Sequence, residues 1–546
     1  IIVWVVRQKQ NDSADYFLGG RDATWLAIGA SIFASNIGSE HLIGLAGAGA
    51  SSGMAMAHWE IQGWMILILG WVFVPFYSRS MVYTMPEFLE RRYNPQSRTI
   101  LSVISLVSYV LTKVAVTVYA GGLVFQQVFG IKELWGIDFF WIAAIGLVVL
   151  TAIYTIFGGM KSVLYTSVLQ TPILLLGSLI ILVLGFKELG GWDEMMRVCG
   201  AVTVNDYGDT MTNLIRSNDD ANFPWLGALI GSAIIGFWYW CTDQFIVQRV
   251  LSGKNEKEAR RGTIFGAYLK LLPVFLFLIP GMIAFALHQK YIGAGGEGFL
   301  PMLANGTANA DAAFPTLVAK LLPAGVKGLV VCGILAALMS SLASLFNSSA
   351  MLFTIDFYKR FRPETPEKKL VGIGQVATVV IVILGILWIP IMRSVGDVLY
   401  TYLQDVQSVL APGIAAAFLL GVCWKRTSAQ GGMWGLISGM VIGLTRLGAK
   451  VYYSNAGEVA DSTFKYLFYD MNWLFFCGWM FLFCMIVVIV VSLTTKAPTA
   501  EKIQGLVFGT ATKEQKAATR VSWDHWDIIH TVIILSITAA FYWYFW

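Results

Sequence analysis

The stretch ASNIGSEH at positions 34–41 decides the fold of this chain, because it interrupts a segment that otherwise has the composition of a membrane-spanning helix. Apolar residues lead into it from Trp25 and out of it to Ala50. A spanning helix excludes such polar groups, since each unsatisfied one costs several kcal/mol in hydrocarbon. We therefore predict an unwound helix near mid-bilayer, here called the polar break, whose freed backbone groups line an ion or solute cavity.

The composition identifies a polytopic membrane protein. Of the 546 residues, 57% are hydrophobic and 13% are charged, with a mean hydropathy of +0.66, whereas soluble domains have about 25% charged residues. Apolar runs of about 20 residues, the length that crosses the hydrocarbon core, recur along the chain. We predict thirteen full spans, near 25–48, 54–78, 100–126, 138–157, 162–186, 224–248, 263–287, 323–357, 370–391, 396–423, 430–449, 471–494 and 528–546.

The first ten spans fall into two groups of five, separated by an acidic and polar loop at 188–222. Because an odd number of crossings reverses the topology, the second group would be an inverted repeat of the first, a plan common among secondary transporters. The predicted fold class is therefore all-α and polytopic, with a five-plus-five inverted-repeat core and additional flanking transmembrane helices. Its predicted divisions are a remnant of a first helix and a cytoplasmic link at 1–24, repeats at 25–187 and 223–423 separated by an extracellular loop at 188–222, and C-terminal accessory transmembrane helices at 424–546.

The distribution of Lys and Arg predicts the orientation in the membrane. Most of the 38 basic residues lie in alternate connections between spans, which places those connections in the cytoplasm and the N-terminus outside. We predict an integral protein of the plasma (inner) membrane. The net charge of +5 reflects this asymmetry, so lipid is an expected partner and nucleic acid is not.

The sequence lacks the motifs that are typical of disulfide frameworks, zinc sites and ATP hydrolysis. None of the six cysteines forms a CxxC pair, so we predict neither a disulfide framework nor a zinc site. The sequence has no GxxxxGK[ST] phosphate loop and no HExxH motif. We therefore expect no enzyme, and any transport would be passive or driven by an ion gradient.

Ionisable and amide side chains inside spans are functional candidates, because burying them is costly. Besides those of the polar break, the set comprises Glu60, Gln62, Lys113, Gln170, Asp243, Gln244, Lys270, Gln404, Asp405 and Gln407. Each of them could instead pair with another helix only to hold the bundle together, an alternative of equal weight. Several on different spans favour a hydrated cavity, and amides with a few charges suit a polyhydroxyl solute.

Two other segments combine polar groups with an unusual composition. AALMSSLAS at 336–344 carries adjacent hydroxyls among small residues, which indicates either close helix packing or, together with free carbonyls of the polar break, an all-oxygen shell for a monovalent cation. FWYWCTDQ at 237–244 places aromatic rings beside an acid and an amide. Anchoring at the interface explains most Trp residues, but such a cluster also suits the CH face of a pyranose.

These motifs resemble those of the sodium/solute symporters, and among them most closely the sodium–glucose cotransporters. The resemblance runs from Asp15 to about Arg426. It rests on DYFLGGR at 15–21, ASIFASNIGS at 30–39, YTMPEF at 83–88, YTIFGG at 154–159, WYWCTDQ at 238–244, VQR at 247–249 and LMSS at 338–341.

The resemblance implies a symporter that works by alternating access and carries sodium together with a sugar. The implied sodium ligands are the carbonyls of Ala34, Ile37 and Ala337 and the hydroxyls of Ser340 and Ser341. The implied sugar contacts are Asn36, His41, Glu60, Tyr239, Trp240, Lys270 and Gln404. Tyr239 would also be the inner gate, and Tyr400 an aromatic gate residue near the outer side.

Three departures from the family pattern affect these expectations. Ser167 stands where relatives carry an acid linked to a second sodium, so we predict a single sodium site. Gly236 replaces a side chain that would contact the sugar, so one hydrogen bond would be missing or replaced by water. Glu40 beside His41 resembles the inositol-transporting branch, and the role of Glu40 is open.

We therefore predict a sodium-coupled symporter of a hexose such as glucose or galactose. The alternatives are a sodium-coupled symporter of myo-inositol or another polar solute, and a membrane sugar sensor that does not transport.

Overall fold

The computed structural model describes residues 12–38, 40–303, 306–393, 399–455 and 460–546, without the side chains of 110–112, 388–402 and 454–459. Within these ranges the chain is helical apart from loops, isolated bridges and a short hairpin that pairs Glu133–Leu134 with Ile137–Asp138. Most of the predicted first-helix remnant, residues 1–11, lies outside the described residues.

The N-terminal half consists of short helices joined into longer runs, followed by one very long helix. Its α-helices are Ser13–Leu18, Trp25–Asn36, Ala46–Ser52, Ala57–Glu60, Gly63–Ile68, Val74–Ser80, Met85–Arg92, Pro95–Ser108, Ala115–Phe129 and Phe139–Leu189. The connecting π-helical turns are Glu40–Leu45, Leu69–Phe73 and Tyr109–Val114, and 3-10 turns occupy Gly19–Arg21 and Gly53–Met56.

After the helix Trp192–Gly200, which lies in the predicted loop at 188–222, the chain returns to long helices. The following α-helices are Trp225–Gly236, Gln244–Leu251, Glu256–Lys270, Ile279–Gly293, Ala313–Leu321, Ala324–Met351, Lys359–Phe361, Glu367–Arg393, Leu399–Cys423, Ala429–Asn455, Thr463–Lys465, Trp473–Thr494, Ala500–Ile503, Lys513–Val521 and His525–Tyr544. The π-helical turns are Phe237–Thr242, Val274–Leu278, Leu352–Tyr358 and Tyr466–Asp470, and Ala310–Ala312 is a 3-10 turn.

Each of the thirteen predicted spans coincides with helix in the structure. Nine helical runs in the described part of the chain are long and apolar enough to cross a membrane. The number is smaller than thirteen because one run, Phe139–Leu189, contains two predicted spans, and because the helices Trp25–Asn36 and Ala115–Phe129 are short. The helix Ala429–Asn455 is not among the nine. The polytopic, all-helical architecture is therefore as predicted.

The longest helix is divided by a single glycine. Phe139–Leu189 has 51 residues, or about 76 Å at 1.5 Å per residue, far more than a membrane core of about 30 Å. Within it, Gly159 has φ 52° and ψ −149°, a backbone conformation that residues with a Cβ rarely adopt. A Cβ at this position would also lie 2.5 Å from the carbonyl oxygen of Tyr16. The spans predicted at 138–157 and 162–186 separate at this residue.

The helix Trp25–Asn36 ends inside the polar break, as the sequence predicts. Ile37 has extended backbone angles, φ −83° and ψ 101°, and a π-helical turn begins at Glu40. The amides of His41 and Leu42 both donate to the Gly38 carbonyl, at 3.1 and 3.3 Å. Regular helical hydrogen bonding is therefore interrupted here, and backbone oxygens are freed for other partners.

The polar break lies at the centre of the bundle rather than at its surface. The helix Trp25–Asn36 packs against Glu256–Lys270, Phe139–Leu189 and Ala324–Met351, the last of which is called the serine helix below. Asn36 and His41 are only 4% and 3% exposed. Irregular backbone at this depth is tolerated because it is enclosed by protein.

The end of the bundle that is predicted to face the cytoplasm is closed by the segment before Trp25. The Phe17 carbonyl accepts a hydrogen bond from Gln248 Nε2 at 2.7 Å, and the Ser13 hydroxyl donates to Glu367 Oε2 at 2.5 Å. These bonds join the segment to two distant helices, Gln244–Leu251 and Glu367–Arg393. They would have to break before the centre of the protein could open on this side.

Candidate solute and sodium site

One cavity collects the predicted solute residues at the centre of the bundle. The volume of the cavity that can hold the centre of a water molecule is about 50 Å³. Its lining includes all seven predicted contacts: Asn36, His41, Glu60, Tyr239, Trp240, Lys270 and Gln404. These residues come from separate helices, so only the tertiary fold brings them together.

A chain of polar contacts runs along one wall of the cavity. Lys270 donates from Nζ to Glu60 Oε2 at 2.6 Å, and His41 Nε2 lies 3.4 Å from the same oxygen. Asn36 Nδ2 lies 3.3 Å from His41 Nε2. Because Glu60 is fully buried, its charge depends on Lys270, and loss of one partner in such a pair costs about 3–5 kcal/mol. The network therefore holds the four side chains in a defined arrangement around the cavity.

Three buried polar atoms of the cavity lining have no hydrogen-bond partner among the described residues: Glu40 Oε2, Gln404 Oε1 and Trp59 Nε1. Each such atom costs about 1–3 kcal/mol while it stays unsatisfied. Two are acceptors and one is a donor, and a hydroxyl can serve either kind. A solute with several hydroxyls would therefore satisfy all three.

The aromatic turn, Phe237–Thr242, forms another wall. The rings of Tyr239 and Trp240 meet edge to face, with centroids 4.9 Å apart. Lys113 Nζ lies 4.8 Å from the centre of the Tyr239 ring and 2.5 Å from Asp243 Oδ2. Tyr239 is thus held between the cavity and a buried ion pair, a position that suits a gate. Its gating role stays a prediction, and the side chain of Tyr400 lies outside the described residues.

The predicted sodium ligands lie where the polar break faces the serine helix. Ser341 Oγ donates to the carbonyls of Ser35, at 2.9 Å, and Ile37, at 3.2 Å. Ala34 and Ala337 are both 1% exposed in the same region. Carbonyl and hydroxyl oxygens are the ligands that hard cations prefer. The residues present can therefore hold sodium in an all-oxygen shell, although the individual ligands stay a prediction.

Ser340, the other predicted hydroxyl ligand, contacts Ser167. Their Oγ atoms are 3.2 Å apart, and the Ser167 hydroxyl donates to the Val163 carbonyl at 2.6 Å. Ser167 is fully buried and carries no charge, whereas the resemblance implies an acid at this position. A second cation here would lack a compensating carboxylate, which agrees with the prediction of a single sodium site.

The space beside Gly236 is filled by a side chain from another part of the chain, and the loss of one hydrogen bond to the solute stays a prediction. The missing side chain is replaced by the carboxamide of Gln62 rather than by an empty position, since a Cβ on Gly236 would collide with Gln62 Oε1. The amide is held at both ends: Nε2 donates to the Ser232 carbonyl at 2.8 Å, and Oε1 accepts from Trp240 Nε1 at 3.3 Å. Gly236 therefore leaves room for the Gln62 amide, which positions Trp240.

Gly236→Ala should displace the Gln62 amide and weaken solute binding by about tenfold, because overpacking a buried site costs about 1–3 kcal/mol. The affinity of the purified protein for its solute, measured at saturating sodium, tests this. Gly146→Ala is the matched control, since a Cβ at that position meets no atom within 4 Å. Equal affinities in the two variants would contradict the positioning role of Gln62.

Sequence reasoning missed part of the cavity wall. The sequence singles out Gln62, Lys113 and Gln407 as polar residues in spans but assigns them no role, and all three line the cavity. Trp59 and Thr117 line it as well. Neither carries a sequence signal, because Trp and Thr are ordinary residues of spanning helices. Only their position beside the polar break identifies them.

An enclosed polar cavity beside an interrupted helix, in an all-helical polytopic bundle, defines a secondary transporter. The fold matches that of a sodium-coupled sialic acid symporter in its substrate-bound, outward-open state, with a TM-score of 0.71 over 91% of this chain and 95% of that one at 22% identity. This similarity confirms the predicted inverted-repeat transporter core with flanking helices.

The chain belongs to the sodium:solute symporter family, whose profile matches residues 16–439. It is 37% identical over 518 residues to the sodium/myo-inositol cotransporter 2 of Homo sapiens, an alignment that covers 92% of this chain and 76% of that protein. It is 36% identical over 525 residues to the sodium/myo-inositol cotransporter of Canis lupus familiaris, with coverages of 92% and 72%. These similarities confirm the predicted family and the predicted coupling to sodium. They also confirm the prediction of a transporter rather than an enzyme.

Proposed function

We propose that this protein couples the inward movement of sodium to the uptake of a cyclic polyol, with myo-inositol as the first candidate. The observation that carries the proposal is the cavity with unsatisfied polar atoms, among them Glu40 Oε2 and Gln404 Oε1. The names of the relatives described above point to the same solute. Glucose or galactose stays a prediction, as the second candidate.

The two candidates differ in the hydrogen bonds that their rings can make. In myo-inositol every ring carbon bears a hydroxyl, whereas a pyranose contains a ring oxygen that only accepts. The oxygens of Glu40, Glu60 and Gln404 line the cavity, and an additional donor on the solute serves these acceptors better than a ring oxygen. The ring pair Tyr239 and Trp240 supports a hexose equally well, since its contact with CH groups needs no donor.

The polar break supplies a route by which ion and solute can affect each other. Ser341 lines the solute cavity and also donates to the Ile37 carbonyl, while the adjacent Asn36 contacts His41. Sodium bound between the polar break and the serine helix would order both. Coupling of this kind is reciprocal: whatever sodium adds to solute affinity, the solute adds to sodium affinity. Separation of the two elements on inward opening would then release the ion.

We further propose one sodium per transport cycle and a location in the plasma membrane with the N-terminus outside. The uncharged Ser167 beside Ser340 supports the stoichiometry. The concentration of basic residues in alternate connections supports the orientation.

Proteoliposomes that contain the purified protein should accumulate labelled myo-inositol when a sodium gradient is directed inward, and should accumulate little when potassium replaces sodium. An excess of unlabelled myo-inositol should abolish the signal, and unlabelled glucose and galactose should compete more weakly. The initial rate of uptake over a range of sodium concentrations should give a Hill coefficient near 1.

Other outcomes separate the alternatives. Uptake of glucose in preference to myo-inositol would favour a sodium-coupled hexose symporter. Binding of either solute without gradient-driven uptake or counterflow would favour a sensor. Uptake that is independent of sodium would contradict the proposed function.

A further inference from the structure

Glu40 differs from the nearby acids Glu60 and Asp243 because, among the described residues, it forms no ion pair with a Lys or Arg. Glu60 pairs with Lys270 at 2.6 Å, and Asp243 pairs with Lys113 at 2.5 Å. In the described part of the chain, no Lys or Arg lies within ion-pair distance of Glu40, although the lysines of both other pairs line the same cavity. The two basic residues nearest to the solute are thus already matched with acids.

The position of Glu40 places its carboxylate beside the predicted sodium ligands. One of its oxygens, Oε1, is 4.0 Å from His41 Nδ1. The other, Oε2, is buried and has no hydrogen-bond partner among the described residues. A methyl group on Gly38 would collide with Glu40 Oε2 and would lie 2.8 Å from Ser341 Oγ. The carboxylate and the Ser341 hydroxyl therefore flank the same backbone carbon of the polar break.

The predicted sodium shell contains only neutral groups, three carbonyls and two hydroxyls. A cation at this depth is costly without a compensating charge, and a carboxylate within a few ångström lowers that cost considerably. Other charges nearby do not take this role. The acids Asp243 and Glu60 are already paired with Lys113 and Lys270.

We propose that Glu40 is the charged member of the sodium site. The charge of its carboxylate attracts the ion to the polar break through space, while Oε2 stays available to a hydroxyl of the solute and Oε1 stays on the side of His41. Glu40 would thereby connect the ion to the solute directly, in addition to the backbone route through Ile37. The inference rests on the proposed sodium symport and assigns a role to a residue that the family resemblance leaves open.

The test measures sodium binding in the absence of solute, from the sodium-dependent rise in melting temperature of the purified protein. Glu40→Gln keeps the shape of the side chain and removes its charge, so the sodium concentration for the half-maximal rise should increase by about tenfold. Ser341→Ala should produce a shift in the same direction. Glu364→Gln, at an exposed position, is the matched control and should titrate like the unmodified protein.

An unchanged sodium titration in Glu40→Gln, with a clear shift in Ser341→Ala, would overturn this inference alone. An unchanged sodium titration in Glu40→Gln together with weaker solute binding would also overturn the inference, because Glu40 would then act on the solute only. No response to sodium in the unmodified protein would overturn both the inference and the proposed symport. If Glu40→Gln does not fold, Glu40→Asp serves instead. An increase of less than tenfold in the half-maximal sodium concentration supports the inference, and an unchanged concentration overturns it.

Discussion

Ser341→Ala should raise the sodium concentration needed for half-maximal uptake by roughly 30-fold, because one oxygen ligand of a charged ion contributes about 2 kcal/mol. The hydroxyl already contacts the carbonyls of Ser35 and Ile37, so its loss also removes the link between the serine helix and the polar break. Initial rates of solute uptake in proteoliposomes, measured over a wide range of sodium concentrations, test the prediction.

Ser349→Ala provides the matched control for this experiment. Ser349 lies on the same serine helix, is equally buried, and its hydroxyl has no partner among the described residues. The control removes the same atom from the same helix but leaves the polar break untouched, so its sodium dependence should remain that of the unmodified protein. The sodium assignment would be wrong if both variants showed the same sodium dependence.

Lys270→Met should reduce solute uptake by roughly hundredfold or more. The substitution preserves most of the side-chain volume but leaves the fully buried Glu60 without its cation, at a cost of about 3–5 kcal/mol. The contact between Glu60 and His41 would change with it. Uptake rates, together with the melting temperature of the purified protein, measure the two consequences separately.

Two comparisons distinguish loss of the site from loss of the fold. The double variant Glu60→Gln/Lys270→Met removes both charges and should recover most of the lost thermal stability while uptake stays low. Arg197→Met breaks an ion pair whose basic side chain is 70% exposed, so its melting temperature and uptake should remain near those of the unmodified protein. Near-normal uptake in Lys270→Met would contradict the placement of this pair in the solute site.

The sequence predicts more of the solute site than of its supporting contacts. Asn36 and His41 lie in the polar break and Glu60 is an acid inside a predicted span, and the structure places all three around one cavity. Gln62 is different: its contact with Gly236 depends on the distance between two helices. Sequence reasoning considered one helix at a time and therefore did not foresee that the Gln62 carboxamide occupies the space beside Gly236.

The predicted sodium site, like the solute site, is predicted by the sequence only in part. Adjacent hydroxyls at Ser340 and Ser341 indicate either helix packing or a cation site, and local sequence does not choose between them. The structure turns Ser341 toward the polar break and Ser340 toward Ser167. Two neighbouring residues of identical chemistry thus have different partners, since adjacent residues on a helix point in directions about 100° apart.

The membrane-spanning architecture and the interruption at 34–41 follow from composition and hydropathy alone, because the cost of placing a side chain in hydrocarbon depends on that side chain and its immediate neighbours. The pairings that make the interruption a site do not follow in this way. Ser341 and Ser35 are 306 positions apart, and Lys270 and Glu60 are 210 apart. Such contacts depend on how whole helices pack, and so the tertiary structure decided which polar groups are satisfied and which, like the Glu40 carboxylate, remain available to the cargo.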